Sequence, residues 1–151
     1  MEFLSLFITI AGFVIGLGAV TVIDLHGFLA RKSSYWTETT IRTHKVTKPL
    51  IWIGILLVAM GTFLAGTNEI ISSGEFALRL FIVFLMILNG AFLSFVVSPE
   101  LLRREKDGRG TEILPRTMQN KITVSFLVSV TLWWGLLAYI VLGLVQKIPA
   151  Y

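Results

Sequence analysis

The sequence predicts an all-α, polytopic membrane four-helix bundle made of two duplicated helical hairpins, and three observations carry that prediction. Four uncharged stretches, residues 3–23, 50–67, 80–97 and 122–146, are each long enough to cross a ~30 Å hydrocarbon layer as a helix. The connections between them divide the basic residues unevenly, and the two halves of the chain repeat the same polar marks in the same order. With 55% of residues hydrophobic and only 15% charged, four crossings consume most of the 151 residues. What remains is too short for a separate catalytic domain, so any site is built from helix ends, connections or the bundle interior.

The first stretch lacks the basic leader of a signal peptide and exceeds an apolar core of ~7–15 residues, which makes it a retained span. Gly12 and Gly16, joined by Gly18, allow close helix approach within it, as Gly54, Gly61 and Gly66 do in the second. Asp24 is expected to cap a short helix running through Lys32, and Thr37 to cap another whose Glu38 pairs with Arg42. Tyr35, Trp36 and Trp52 fall where interfacial aromatic rings are favoured. Pro49 should kink or interrupt the helix entering the second span. Arg79 opens the third span, where its long stem can return the charge to the head groups. Ser98 with Pro99 reads as a fresh helix start, giving a short amphipathic segment through Lys106 before the turn at Asp107, Gly108, Arg109 and Gly110. Thr111 is expected to cap a helix in which Glu112 faces Arg116, with Pro115 near its start.

Self-comparison supports a duplication within one transmembrane domain, residues 1–151, composed of hairpin repeats 1–70 and 75–147. Gly18, Ala19, Leu29, Arg31 and Lys32 match Gly90, Ala91, Leu101, Arg103 and Arg104 at one offset. Further on, Thr37, Glu38, Arg42 and Thr43 match Thr111, Glu112, Arg116 and Thr117. Both hairpins enter from the same side, as parallel repeats do.

The connection after span one carries Arg31, Lys32, Arg42, Lys45 and Lys48, and that after span three carries Arg103, Arg104, Lys106, Arg109, Arg116 and Lys121, eleven of the thirteen basic residues. The middle connection has Glu69 and Glu75 and no Lys or Arg, and the chain ends add only Glu2 and Lys147. The positive-inside bias places both basic connections in the cytoplasm and both termini outside. It also accounts for the net charge of +4 without nucleic acid. Arg31, Lys32, Arg103 and Arg104 are the basic residues placed to meet anionic lipid or an acidic partner.

The absence of cysteine excludes disulfides, thiolate metal sites and thiol redox chemistry. No dinucleotide-binding glycine pattern, phosphate loop, HExxH or GxSxG is present, which sets nucleotide-dependent and hydrolytic enzymes aside. His26 and His44, the only histidines, stand at similar depth on adjacent elements; with Asp24 they form the candidate metal or haem site, a carboxylate ligating or orienting an imidazole. Asn89 lies mid-span and must find partners inside the bundle, one being the indole N–H of Trp133 or Trp134. The hydroxyls of Thr62, Ser94, Ser125, Ser129 and Thr131 can be satisfied by their own helices. No Asp, Glu, Lys or Arg lies deep in any apolar stretch, which disfavours a proton pump or a carrier of charged substrates.

Four spans, a basic collar and histidines His26 and His44 at helix ends resemble small prokaryotic four-helix integral membrane proteins that share a general architecture with copper-resistance-D-like and b-type cytochrome membrane proteins. The resemblance implies a prokaryotic cytoplasmic membrane, and haem or a transition metal as the cofactors to consider. Three functional classes follow: a non-enzymatic protein that binds a small ligand or metal or supports a membrane complex; a pore or carrier formed by a homo-oligomer; and a haem-binding membrane oxidoreductase. The first is favoured.

The orientation is testable in this cysteine-free chain by placing single cysteines at Ser34, Ser73 or Gly108 and treating intact cells with an impermeant thiol reagent. Labelling is expected at position 73 alone; labelling at 34 or 108 with protection at 73 reverses the assignment.

Overall fold

The computed structural model describes residues 2–68 and 70–146. Helix α1 (Glu2–Leu29) turns sharply into α2 (Ser34–Thr67); α3 (Ser73–Phe92) runs through a π-helical segment (Leu93–Val97) into α4 (Ser98–Lys106), and α5 (Arg116–Val145) returns. The stretch Ser73–Lys106 forms one rod, so four helices are long and apolar enough to cross a membrane, and no strand occurs among the described residues. Phe81, Phe95, Leu127 and Trp134 are exposed on the outside of the bundle, where a soluble protein would place polar groups. The chain is an all-α four-helix bundle and an integral membrane protein. Glu69 of the middle connection and Lys147 near the chain end, both counted in the charge comparison, lie outside the described residues.

The helices are longer than their apolar stretches. At 1.5 Å per residue the 34-residue α2 reaches about 51 Å, against a hydrocarbon layer of ~30 Å, so its first turns stand beyond the layer at the basic end. Most of what the sequence treats as the first connection is therefore helix, and the true turn is only Ala30 to Ser33. The expected caps move with it. Asp24 lies inside α1 and caps nothing, while α2 starts at Ser34, and Thr37 sits within it, donating to the carbonyls of Ala30 and Ser33 at 3.2 Å. Glu38 and Arg42 do pair along the helix.

The prolines act differently from expectation. Helix α2 continues through Pro49, which lies on an exposed face where the carbonyl of Lys45 it leaves without a donor can meet water or head groups. Ser98 is no cap; its backbone is helical and its N–H bonds to the carbonyl of Leu93, five residues back. The wider turn ends just before Pro99, whose ring supplies no N–H, and the rod continues instead of breaking. Thr111 and Glu112 fall in the turn after α4. Because the residue before a proline avoids helical dihedrals, α5 begins only after Pro115, and Glu112 turns back to Arg109 at 2.8 Å rather than pairing with Arg116. That hydrogen bond holds the exposed Glu112 carboxyl below its ordinary range.

Glycines set the central contact. A methyl group at Gly12 would lie 2.8 Å from the backbone of Val58 and 2.9 Å from the carbonyl of Gly54, and one at Gly54 would collide with the backbone of Gly16. Farther along, the Ser5 hydroxyl donates to the Gly61 carbonyl at 2.9 Å. The antiparallel pair α1–α2 is thus packed backbone to backbone, the arrangement that gives apolar helices dispersion contact where lipid offers no hydrophobic drive. Trp133 of α5 lies over Gly16 and meets Phe13 edge-on at 5.9 Å, closing an apolar core with Val58, Met86 and Leu136. At Gly18, grouped with these glycines in the sequence, an added methyl group would meet nothing within 4 Å.

Gly54→Ala is expected to lower stability in mild detergent by roughly 1–3 kcal/mol, because the obstructing atoms are backbone and cannot yield cheaply. Gly18→Ala, with open space around it, is expected to be neutral or stabilising. Equal effects from the two in thermal unfolding would refute the seam.

Candidate functional site

The seam fixes the register of α1 against α2. Gly16 stands opposite Gly54, so two turns onward Asp24 comes level with the stretch of α2 around His44 and Thr47. On α2, Thr40, His44 and Lys48 recur at every fourth residue and share one face, which is turned toward Asp24. From the other side come Leu93, Ser94 and Val97 of the π-helical segment. These groups surround a cavity of ≈ 50 Å³ at the basic end of the bundle, walled by Ile23, Ile51, Trp52, Leu101 and Ile122 and large enough for a few water molecules.

Two polar atoms at this cavity have no partner among the described residues. Asp24 is 7% exposed, and its Oδ2 accepts no hydrogen bond; Nε2 of His44 is also buried and unpartnered. Leaving such atoms unpaired in an apolar setting costs about 1–3 kcal/mol each. The Trp52 indole is occupied, donating to the Ser94 hydroxyl at 3.2 Å.

A polar track leads inward from Asp24, whose carboxyl lies against the Ser129 hydroxyl. Ser129 accepts from Asn89 Nδ2 at 2.8 Å, and the Ser125 hydroxyl donates to Asn89 Oδ1 at 2.8 Å. A second void of ≈ 20 Å³ lies between Asp24, Asn89, Ser129 and Trp133, room for about one water. Asn89 therefore faces the bundle as expected, but its partners are serines. Trp133, 2% exposed, is committed to Phe13 and Gly16, while Trp134 is half exposed to the outside. Neither Ser125 nor Ser129 spends itself on its own helix, and the Thr62 hydroxyl is buried with no partner, so the own-helix expectation fails for these three.

The structure brings Asp24 and His44 to one cavity and leaves His26 out of it. The His26 ring instead packs on Trp36 at 5.3 Å, near the turn between α1 and α2. Among the described residues no three His, Asp or Glu side chains gather closely enough to hold a metal ion. Within the basic collar, Arg31 lies over the Phe28 ring at 4.2 Å and donates to Thr123 at 3.2 Å. Arg104 is buried and bonded to Glu100 at 3.3 Å, so Lys32 and Arg103 are the exposed members of the four. Lys45 reaches Glu105 at 2.8 Å and ties α2 to α4.

Sequence reasoning missed Thr40, Lys48, Trp52, Ser94 and Ser129 as members of the site. The four-residue spacing of Thr40, His44 and Lys48 was a legible signal; the approach of Ser94, which depends on the π-helical segment, was not. Asp24 stands just beyond the first apolar stretch and is nevertheless buried in the bundle, because α1 continues past that stretch to Leu29. In comparisons with known proteins, no family model, curated protein or solved structure matches the chain.

Asn89→Leu is expected to destabilise the protein by ~0.6–1.7 kcal/mol, the range for interhelical hydrogen bonds inside membranes. A double-mutant cycle with Ser129→Ala measured by unfolding in detergent should show coupling between the two sites; strict additivity would remove the Asn89–Ser129 bond from the account.

Proposed function

We propose that this chain is a non-enzymatic membrane protein that binds a compact polar ligand between Asp24 and His44. The observation that carries this reading is the pair of buried, unpartnered atoms, Asp24 Oδ2 and His44 Nε2, on one small cavity. A carboxyl oxygen without a donor calls for a ligand that brings N–H or O–H, and the imidazole nitrogen can accept from or donate to the same molecule. The free space of ≈ 50 Å³ limits that ligand to the size of a small amine or a few waters. The apolar walls strengthen each polar contact by excluding solvent. By the positive-inside bias, the cavity belongs to the cytoplasmic end.

A second reading, a carrier of the same small solute, is favoured by one further observation. Another cavity lies at the opposite end, between Ser5, Arg79 and Ile140, and the apolar layer of Phe13, Val58, Met86 and Trp133 stands between the two. Wells on both sides of a closed barrier suit alternating access better than an open pore.

The test uses methylammonium chloride as probe, with tetramethylammonium, which is larger and has no N–H, as control. Methylammonium is expected to raise the melting temperature of the purified protein, Asp24→Asn to abolish most of the shift, and His44→Phe to weaken apparent affinity about tenfold, the equivalent of one good hydrogen bond. Equal shifts from both cations, or shifts unchanged in both variants, would overturn the site. Uptake of the same probe into proteoliposomes separates a carrier from a static binding protein.

A further inference from the structure

The sequence places Arg79 at the start of a span and returns its charge to the head groups. In the structure Arg79 is only 8% exposed. Its Nε has no hydrogen-bond partner, and among the described residues no carboxylate lies within 4.0 Å of its guanidinium. Among the described residues its charge is met by the field of Glu75, which lies beyond ion-pair distance, and by the face of Tyr139, 5.9 Å from the guanidinium carbon and near the outer limit of a cation–π interaction. A buried cation in this condition is costly, and an ionisable group held within a membrane bundle is usually there to meet something.

What it faces is a cavity of ≈ 300 Å³, at the lower end of the ~300–1,000 Å³ typical of small-molecule sites. Arg79, Glu2 and Glu75 line it together with apolar groups that include Phe3, Leu6 and Leu144. Phe3 and Leu144 are also exposed on the outside of the bundle, so the apolar wall runs continuously from the cavity to the surrounding lipid. Glu75 is tied into the α3 capping box, where its Oε2 accepts from the Ser72 N–H at 2.9 Å. Glu2 is exposed at the first turn of α1 on the same wall.

We propose that this cavity binds a zwitterion in which an anionic phosphate stands next to an ammonium group, Arg79 holding the anion and Glu2 facing the ammonium. The buried guanidinium supplies the charge-assisted hydrogen bonds that an oxyanion takes best. The acidic side chains on the same wall oppose a ligand of net negative charge and favour one that carries its own cation. That chemistry is shared by an ethanolamine phospholipid, whose chains would follow Phe3 and Leu144 into the bilayer, and by free glycerophosphoethanolamine, a phosphodiester with no chains. This site lies at the end of the bundle away from Asp24 and His44 and stands or falls independently of them.

The experiment follows the melting temperature of delipidated protein in mild detergent while adding dihexanoyl phosphatidylethanolamine, dihexanoyl phosphatidylglycerol or free glycerophosphoethanolamine. The ethanolamine lipid is expected to stabilise the protein more than the glycerol lipid; a comparable response to free glycerophosphoethanolamine assigns the site to a soluble ligand, and its absence to a lipid. Arg79→Met should weaken the response about tenfold or more. It should not destabilise the ligand-free protein, since it removes a buried charge that has no carboxylate within 4.0 Å among the described residues. Gly143→Leu is the second variant: a Cβ there meets only Glu75 Oε1, at 3.9 Å, so the larger side chain can fill the cavity while leaving Arg79 in place, and it should weaken binding as well. No response to either ethanolamine probe, an equal response to the glycerol lipid, or a response retained in both variants would overturn the proposal.

Discussion

The close approach of α1 and α2 is the constraint on which the rest of the molecule depends. Gly12 and Gly16 on one helix and Gly54 and Gly61 on the other leave no space for even a methyl group between the two backbones, so neither sliding nor rotation of one helix on the other is available without loss of contact. A fixed register has a reach beyond the seam. It brings Asp24 level with His44, and it opens the groove over Gly16 that the Trp133 ring occupies. With Trp133 seated, the other residues of α5 on the same face, Ser125, Ser129, Leu136 and Ile140, are turned inward, and the two serines meet Asn89. The polar track therefore follows from packing between residues that are themselves apolar or have no side chain.

Much of this was legible in the sequence, for a simple reason: lipid permits few ways to satisfy a backbone, so long apolar stretches can only be helices. The four spans, the packing role of Gly12, Gly16, Gly54 and Gly61, and the inward-facing Asn89 all follow from that rule. The depth of Asp24 did not. An apolar stretch ends by definition at its first charge, at Ile23, whereas the hydrogen-bonded helix has no reason to end there and runs to Leu29. Arg79 was misplaced by the same convention, because a long side chain can turn outward or inward and only the neighbouring helix decides. The serines illustrate a different limit. Thr9, Thr21 and Thr47 do bond their own helices, as the local rule expects, and nothing in the sequence separates them from Ser125 until α3 is placed opposite.

Across its long axis the bundle alternates in character. Basic helix extensions surround one cavity, a dry layer centred on Val58, Met86, Trp133 and Leu136 fills the middle, and a roomier cavity with mixed charge occupies the far end. The side chains of the dry layer are buried together and carry no polar atoms to satisfy beyond the Trp133 indole. The two cavities hold three of the unsatisfied atoms, Asp24 Oδ2 and His44 Nε2 at one end and Arg79 Nε at the other. Such a division lets polar chemistry vary at either end without disturbing the middle.

The π-helical segment also governs which side of the following helix looks inward. From Met86 the bundle face is carried by Gly90, Ser94 and Ser98 in successive steps of four. Along a straight α-helix, at about 100° per residue, those three steps would rotate the face by about 120°, a third of a turn away from its neighbours. One additional residue in the wide turn takes back about 100° of that rotation and leaves the next inward position, Leu101, within about 40° of Met86. Chain length across Leu93–Val97 is thus a timing element for the rod: the same residues wound as plain α-helix would carry Leu101 about 100° round from where it stands, whereas removing a single residue there would let the wide turn close into ordinary α-helix with Leu101 still facing inward.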